Sequence, residues 1–136
     1  ASDVYKRQVR YLTGDDAQKQ QKSEALIKRI RDGHEEVITT EIIVHEVCFV
    51  LTSSRHYNAT HQAVRDKMYP IIQMNGLHVA NKSICLEALD LFATGETIDF
   101  SDAFSISLVK NNIADGIYSF DVKMDRIVGA NRAEPT

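Results

Sequence analysis

The amino-acid sequence predicts an α/β fold in which helices flank a central parallel sheet. Short apolar segments with strand character alternate along the chain with longer segments of helical periodicity. Such alternation is typical of a parallel sheet that helices cover on both faces. The chain has 136 residues, two prolines and no internal repeat or low-complexity tract, so we expect one domain over 1–136.

The first half of the chain predicts two helices separated by a short strand. A helix over 18–31 precedes a strand over 36–39. Thr39 or Thr40 is a suitable N-cap for the second helix, which runs to about Leu51. The residues expected on its buried stripe are spaced i, i+4, i+7 and i+8: Ile43, Val47, Val50 and Leu51.

The second half predicts three further helices and two strands. The third helix covers 59–74, and Pro70 should kink or split it because proline cannot donate a backbone hydrogen bond. In chain order, the remaining elements are a strand over 77–80, a helix over 83–94 ended by Gly95, a helix from Asp99 or Ser101 through Val109, and a strand over 117–120. No strand is predicted before the first helix.

Composition narrows the classes of function. The net charge of −3 argues against a generally cationic nucleic-acid coat, although a local basic patch or bound metal ions could still serve RNA. Cys48 and Cys85 lie in apolar helical patterns without zinc-ligand spacing, so we expect two buried, reduced thiols. No apolar run approaches the ~20 residues that span a membrane, and no secretory leader is apparent. We therefore expect a cytoplasmic protein.

Acidic residues at the ends of predicted elements are the candidates for chemistry. Asp121 directly follows the last strand, at the edge where parallel α/β sheets bind ligands. Asp102 lies in the first turn of the last helix, and Glu46 borders an apolar helix stripe. Structural interpretations stay open: Glu46 as a solvated helix edge, and Asp102 as part of a capping pair with Asp99. Asp125 is most simply a carboxylate in a surface turn.

The topology predicts that Asp102 and Asp121 converge, since helix starts and strand ends of a parallel layer share one rim. Glu46 reaches this rim if its helix leans over it. Clustered carboxylates raise one another's pKa values, and a divalent cation relieves their repulsion. Oxygen ligands without thiols or imidazoles favour Mg²⁺ or Mn²⁺, and such an ion can activate water and stabilise charge on a phosphodiester.

Other chemistries find less support. His45-Glu46 begins the zinc-protease pattern H-E-x-x-H, but Phe49 occupies the place of the second histidine. The sequence contains no phosphate-binding glycine loop and no G-x-S-x-G nucleophile motif. The five histidines are scattered, and we expect each at the surface or at a helix edge.

Several motifs resemble, in order and spacing, those of VapC-like PIN domains, over Val9 to Pro135. The segment R-Y-L-T-G-D-D resembles the one that follows the first strand of these proteins, and G-A-N-R-A-E-P is a common ending. Glu46 in I-T-T-E-I-I-V-H-E-V-C-F-V-L takes the place of the second family acid, and Asp102 in D-F-S-D-A-F that of the third. Asp121 in I-Y-S-F-D-V-K-M-D-R-I takes the place of the fourth, with Asp125 as an auxiliary acid.

The resemblance implies a PIN-like α/β sandwich and an endoribonuclease that depends on Mg²⁺ or Mn²⁺. Glu46, Asp102 and Asp121 would then be catalytic and bind the metal, with Asp99 and Asp125 as further metal-site candidates. It also implies a toxin of a type II toxin–antitoxin system, with RNA as substrate, a small antitoxin protein as inhibitor, and a homodimer.

The start of the chain departs from the family pattern. The first family acid falls on Val4, with Tyr5 and Lys6 in place of Thr and Asn, and Asp3 is one residue out of register. We interpret residues 1–8 as foreign or replaced sequence and expect weak cleavage by this chain. The alternative hypothesis is a catalytically impaired PIN-like module that acts by protein or RNA binding.

Overall fold

The computed structural model describes residues 7–8, 17–127 and 129–136. The described helices are α1 (Ala17–Arg31), α2 (Glu41–Thr52), α3 (His61–Gln73), α4 (Lys82–Phe92) and α5 (Phe100–Lys110). The strands are β1 (Arg7–Gln8), β2 (Val37–Ile38), β3 (Leu77–His78), β4 (Ile117–Tyr118) and β5 (Arg132–Ala133), and a 3-10 helix spans Val122–Arg126. Among these helices, none has both the length and the apolar character that crossing a bilayer requires.

The strands form two small parallel sheets. One has the order β1-β2-β3, with Val37 opposite both Arg7 and Leu77, and the other pairs β4 with β5. The α/β class is therefore as predicted, although the strands are shorter than the sequence suggested. The expectation that no strand precedes the first helix is wrong. Main-chain hydrogen bonding to β2 allows Arg7–Gln8 to pair despite side chains that do not favour strands.

The predictions for the start of the chain concern positions that the structure does not describe. The place of the first family acid at Val4, and its neighbours Asp3, Tyr5 and Lys6, lie outside the described residues. The same holds for the R-Y-L-T-G-D-D segment at 10–16. The place of the first family acid therefore stays a sequence prediction.

The N-cap of helix α2 is one of the two threonines predicted for that position. The Ile43 N–H donates to Thr40 Oγ1 at 3.3 Å, which makes Thr40 the N-cap. Helix α3 continues through Pro70, so the predicted split is wrong, while a kink at Pro70 stays a prediction. The prediction that Gly95 ends α4 is also wrong, because α4 ends at an Ala93 C-cap in right-handed geometry. The C-cap amide of Ala93 reaches carbonyls of the last helical turn, so no left-handed glycine is needed there.

The hydrophobic core lies among α2, α3, α4 and α5. Its largest fully buried side chains include Met68, Ile72, Leu89, Phe92 and Ile106. Three of the four residues predicted for the α2 stripe are buried, whereas Val50 is 36% exposed and that prediction is wrong. Val50 lies about 100° round the helix from Leu51, which leaves it at the solvent margin of the stripe.

The two cysteines are free and buried, as predicted. Burial raises the pKa of the Cys48 thiol to about 12 and is also the main cause that raises the pKa of Cys85 to about 11. Both thiols therefore stay protonated at neutral pH and act as small apolar side chains in the core.

Candidate active site

A cleft of about 240 Å³ opens between α2, the segment before α5 and the residues that follow β4. Three of the acids singled out from the sequence, Asp99, Asp102 and Asp121, line it together. The first two come from the start of α5, and the third follows β4 after two residues. The cleft thus gathers carboxylates from two separate parts of the chain.

Asp99 and Asp102 form a capping box at the start of α5. The Asp102 N–H donates to Asp99 Oδ1 at 2.8 Å, and the Asp99 N–H donates to Asp102 Oδ2 at 3.4 Å. These bonds satisfy two backbone donors that an α-helix leaves without internal partners. The structural interpretation of this pair is therefore confirmed, and the same two side chains also line the cleft.

Asp121 is held by the turn that follows β4. Its N–H donates to Ser119 Oγ at 3.0 Å, and its Oδ1 accepts the Lys123 N–H at 3.0 Å. The carboxylate thereby caps the 3-10 helix over Val122–Arg126. Local backbone bonds thus fix Asp121 at the cleft, where Lys123 is also a lining residue.

The surroundings of Asp102 in the cleft change the pKa of its carboxyl group. Partial burial raises the pKa of this carboxyl, and the charge of Asp99 raises it further. The charge of Asp121 adds a smaller contribution to the raised pKa of Asp102. The arrangement accumulates negative charge that a bound cation would relieve.

The model of the PIN domain family matches residues 9–130 of the chain. The chain belongs to the PIN domain family. PIN domains are typically metal-dependent nucleases, so membership assigns a nuclease-type function in general terms. No curated protein and no solved structure matches the chain.

The donor chemistry of this PIN-domain cleft fits a hard divalent cation. Within the described part of the chain, no group of three or more His, Cys, Asp or Glu side chains is arranged to hold a metal ion. Mg²⁺, however, commonly uses only one or two protein carboxylates and completes its shell with water and substrate phosphate. Asp102 and Asp121 supply such a pair of carboxylates at one cleft.

Glu46 and Asp125 stand apart from the cleft. The α2 residues that line it lie on one helical stripe, and Glu46 is exposed beyond this stripe, about 100° round from His45. Asp125 accepts two bonds from Arg132, from Nε at 2.7 Å and from Nη2 at 3.0 Å. Arg132 also donates from Nη1 to the Ser119 carbonyl at 2.8 Å, so this side chain clamps β5 onto the segment that carries Asp121.

Sequence reasoning missed two histidines of the cleft. The prediction that every histidine lies at the surface or a helix edge is wrong for His61, which is only 8% exposed and stacks on Phe92. His45 lines the cleft, and its Nδ1 is buried without a hydrogen-bond partner among the described residues. The pattern of apolar residues around a histidine could have indicated that it is buried. For a single histidine in a helix, this pattern is too weak to decide.

Proposed function

We propose that this PIN domain is a metal-dependent endoribonuclease toxin of the VapC type. The observation that carries the proposal is the meeting of Asp102 and Asp121 at one cleft of a chain that the PIN family model matches over 9–130. Cleavage of RNA, dependence on Mg²⁺ or Mn²⁺, and neutralisation by an antitoxin are the specific parts of this proposal.

Asp102 and Asp121 would hold the cation. When bound, the metal lowers the pKa of a water molecule and offsets charge on the phosphodiester. Asp99 keeps the start of α5 in place through its bond to the Asp102 N–H, and so orients the Asp102 carboxylate. Glu46 and Asp125 are the outer candidates, because the one is exposed on α2 and the other is paired with Arg132.

RNA binding must rely on local rather than global charge. The net charge of −3 repels a polyanion at long range. Lys123 is a cleft-lining cation close in sequence to Asp121, and it supports contact with a substrate phosphate. A metal held by the carboxylates would add positive charge at the same place.

The outer face of α2 supports a protein partner. Ile42 and Phe49 are 63% and 62% exposed and stand seven residues apart, which places them on one side of the helix. Phe49 also lines the cleft, and a neighbouring groove of about 210 Å³ is lined by Ile42, His45, Phe100 and Phe104, among others. An antitoxin helix could lay its apolar side chains there and present an arginine to the neighbouring carboxylates. The proposed homodimer rests on the resemblance alone, and the cytoplasmic location rests on the composition of the sequence.

The alternative is a catalytically impaired PIN-like module that acts by protein or RNA binding. Val4 at the position of the first family acid favours it, as does the lack of a three-ligand group among the described residues. The two candidate functions predict different behaviour. The nuclease binds a metal ion at the cleft and cleaves RNA, whereas the impaired module does not cleave RNA.

The test is calorimetric titration with Mn²⁺ together with cleavage of an unstructured RNA. We expect Mn²⁺ binding and weak Mn²⁺-dependent cleavage in the wild type, with both lost in Asp102→Asn and Asp121→Asn. Asp115→Asn, at an exposed carboxylate that does not line the cleft, is the matched control. Metal binding without cleavage would favour the impaired module, and absence of any Mn²⁺ site would reject the nuclease.

A further inference from the structure

The side chains of His61 and Glu96 connect the first turn of α3 to the segment that leads into α5. Glu96 Oε1 accepts the His61 backbone N–H at 3.0 Å, and Glu96 Oε2 lies 3.1 Å from His61 Nε2. The other ring nitrogen, Nδ1, lies 3.0 Å from the carbonyl oxygen of Phe92. The imidazole also stacks on the Phe92 ring, with centroids 3.9 Å apart and planes 7° from parallel.

The two ring nitrogens of His61 contact different acceptors. A carbonyl oxygen can only accept, so the bond to Phe92 requires a proton on Nδ1. The Glu96 carboxylate lies against Nε2 on the other side of the ring. The imidazole therefore links the end of α4 to Glu96.

The pair holds both ends of a short connection. Phe92 is the last residue of α4, Asp99 is the N-cap of α5, and Glu96 lies between them. His61 therefore grips this connection at its beginning, through Phe92, and at its middle, through Glu96. Both His61 and Glu96 line the same cleft as Asp99.

We propose that His61 and Glu96 are positioning residues that fix the start of α5, and with it Asp102, against Asp121. The proposal rests on the proposed function insofar as the positioned carboxylates bind a metal. Glu96 acts here through its bonds to His61 and not as a metal ligand. Groups that hydrogen-bond directly to metal ligands commonly lower metal affinity when they are lost. His61 and Glu96 act one step further out, through the backbone that leads from Glu96 to the N-cap Asp99.

Two substitutions of Glu96 separate positioning from charge. Glu96→Ala removes both contacts to His61. Glu96→Gln keeps them, because the amide oxygen can accept the His61 N–H while the amide nitrogen donates to a neutral ring at Nε2. Glu96 is 62% exposed, so both variants should fold.

Glu87→Ala is the matched control. Asn111 Nδ2 donates to Glu87 Oε2, which ties α4 to the other end of α5, away from the capping box. This variant loosens the same pair of helices without touching the connection that carries Glu96. It therefore reports the effect of general loosening on the cleft.

Two measurements decide the proposal: Mn²⁺ affinity, and hydrogen exchange at the Asp102 amide in the metal-free protein. We expect Glu96→Ala to weaken Mn²⁺ binding by about 10- to 100-fold and to speed the exchange, while Glu96→Gln and Glu87→Ala stay close to the wild type. Unchanged Glu96→Ala would overturn the proposal, as would equal losses in Glu87→Ala. Failure of Glu96→Gln to retain affinity would instead assign the effect to the charge of Glu96. If the wild type binds no Mn²⁺, the proposed function fails, and the exchange measurement still decides the positioning role.

Discussion

Asp99 and Asp102 cap the same helix through reciprocal hydrogen bonds, from Asp102 N–H to Asp99 Oδ1 and from Asp99 N–H to Asp102 Oδ2. Two carboxylates close enough to do this repel each other when both are ionised. The start of α5 is thus stabilised by the backbone bonds and destabilised by the charges of the same two side chains.

Replacing Asp99 should separate the capping role from the charge. Asn caps a helix about as well as Asp, so Asp99→Asn should leave stability within about 0.5 kcal/mol of the wild type. Asp99→Ala removes the acceptor for the Asp102 N–H and should cost about 0.5–2 kcal/mol. Urea denaturation of both variants measures the difference, and equal stability of the two would show that the cap contributes nothing.

Asp102→Asn should alter how stability depends on pH in the metal-free protein. Burial and the neighbouring Asp99 raise the folded-state pKa of Asp102 above its ordinary 3.8. A raised carboxyl pKa contributes stability that is fully present below the unfolded-state pKa and is lost as pH rises through the folded-state pKa. We therefore expect the variant to lose less stability than the wild type as pH rises from about 4 to neutrality. Parallel pH profiles of the two proteins would contradict this origin.

Metal binding should show the opposite dependence on pH. The cation binds the ionised carboxylate, and the raised pKa of Asp102 means that protonation competes at a higher pH than for an ordinary aspartate. We expect Mn²⁺ affinity to fall on acidification from neutral pH, before most exposed carboxylates are protonated. Titration calorimetry at a series of pH values measures this, and an affinity that stays constant down to about pH 4 would argue against Asp102 as a ligand.

The ion pair between Asp125 and Arg132 should act on stability at acid pH. Its hydrogen bond to Arg132 lowers the pKa of Asp125 below the ordinary 3.8. The stabilisation is present above the unfolded-state pKa and is lost as pH falls through the lowered folded-state pKa. The difference between wild type and Asp125→Asn should therefore be largest near neutral pH and shrink below about pH 4. Mn²⁺ affinity should change less in this variant than in Asp102→Asn, since Arg132 already occupies the Asp125 carboxylate.

If the proposed antitoxin docks on the outer face of α2, Phe49→Ser should weaken that binding without harming the fold. The side chain is 62% exposed, and most exposed substitutions change stability by less than about 0.5 kcal/mol. Ile113→Ser, at a residue 59% exposed just beyond the far end of α5, is the control. The probe is the small protein encoded by any adjacent reading frame, and calorimetry measures its affinity for each variant. Equal losses in both variants would indicate that the outer face of α2 is not the docking surface.

The sequence predicted the α/β class and the acids of the cleft for one physical reason. Helix starts and strand ends are local features, and the topology of a parallel sheet places them at a common edge. The position of Asp102 and Asp121 at one cleft could therefore be predicted without any knowledge of packing. The same is true of the capping role of Asp99. Thr40 as N-cap followed from its side chain in the same way.

The remaining features depend on contacts between distant residues. His61 and Glu96 are 35 positions apart, and nothing in either local pattern indicates that they meet. The strand at Arg7–Gln8 likewise depends on the neighbouring β2 and not on its own side chains. The sequence correctly predicted that Glu46 borders an apolar stripe of α2. Whether its side chain faces the cleft depends on how α2 packs against the other helices, which the local sequence does not show.

The Arg132 clamp has a practical consequence for handling the protein. Its guanidinium joins β5 to Ser119 and Asp125, which lie on either side of Asp121 in the sequence, so β5 supports the cleft. A truncation that removes Arg132 removes all of these bonds, whereas one that retains the chain through Glu134 keeps them. Two proteins that differ by only these few residues should therefore differ in how firmly they hold Asp121.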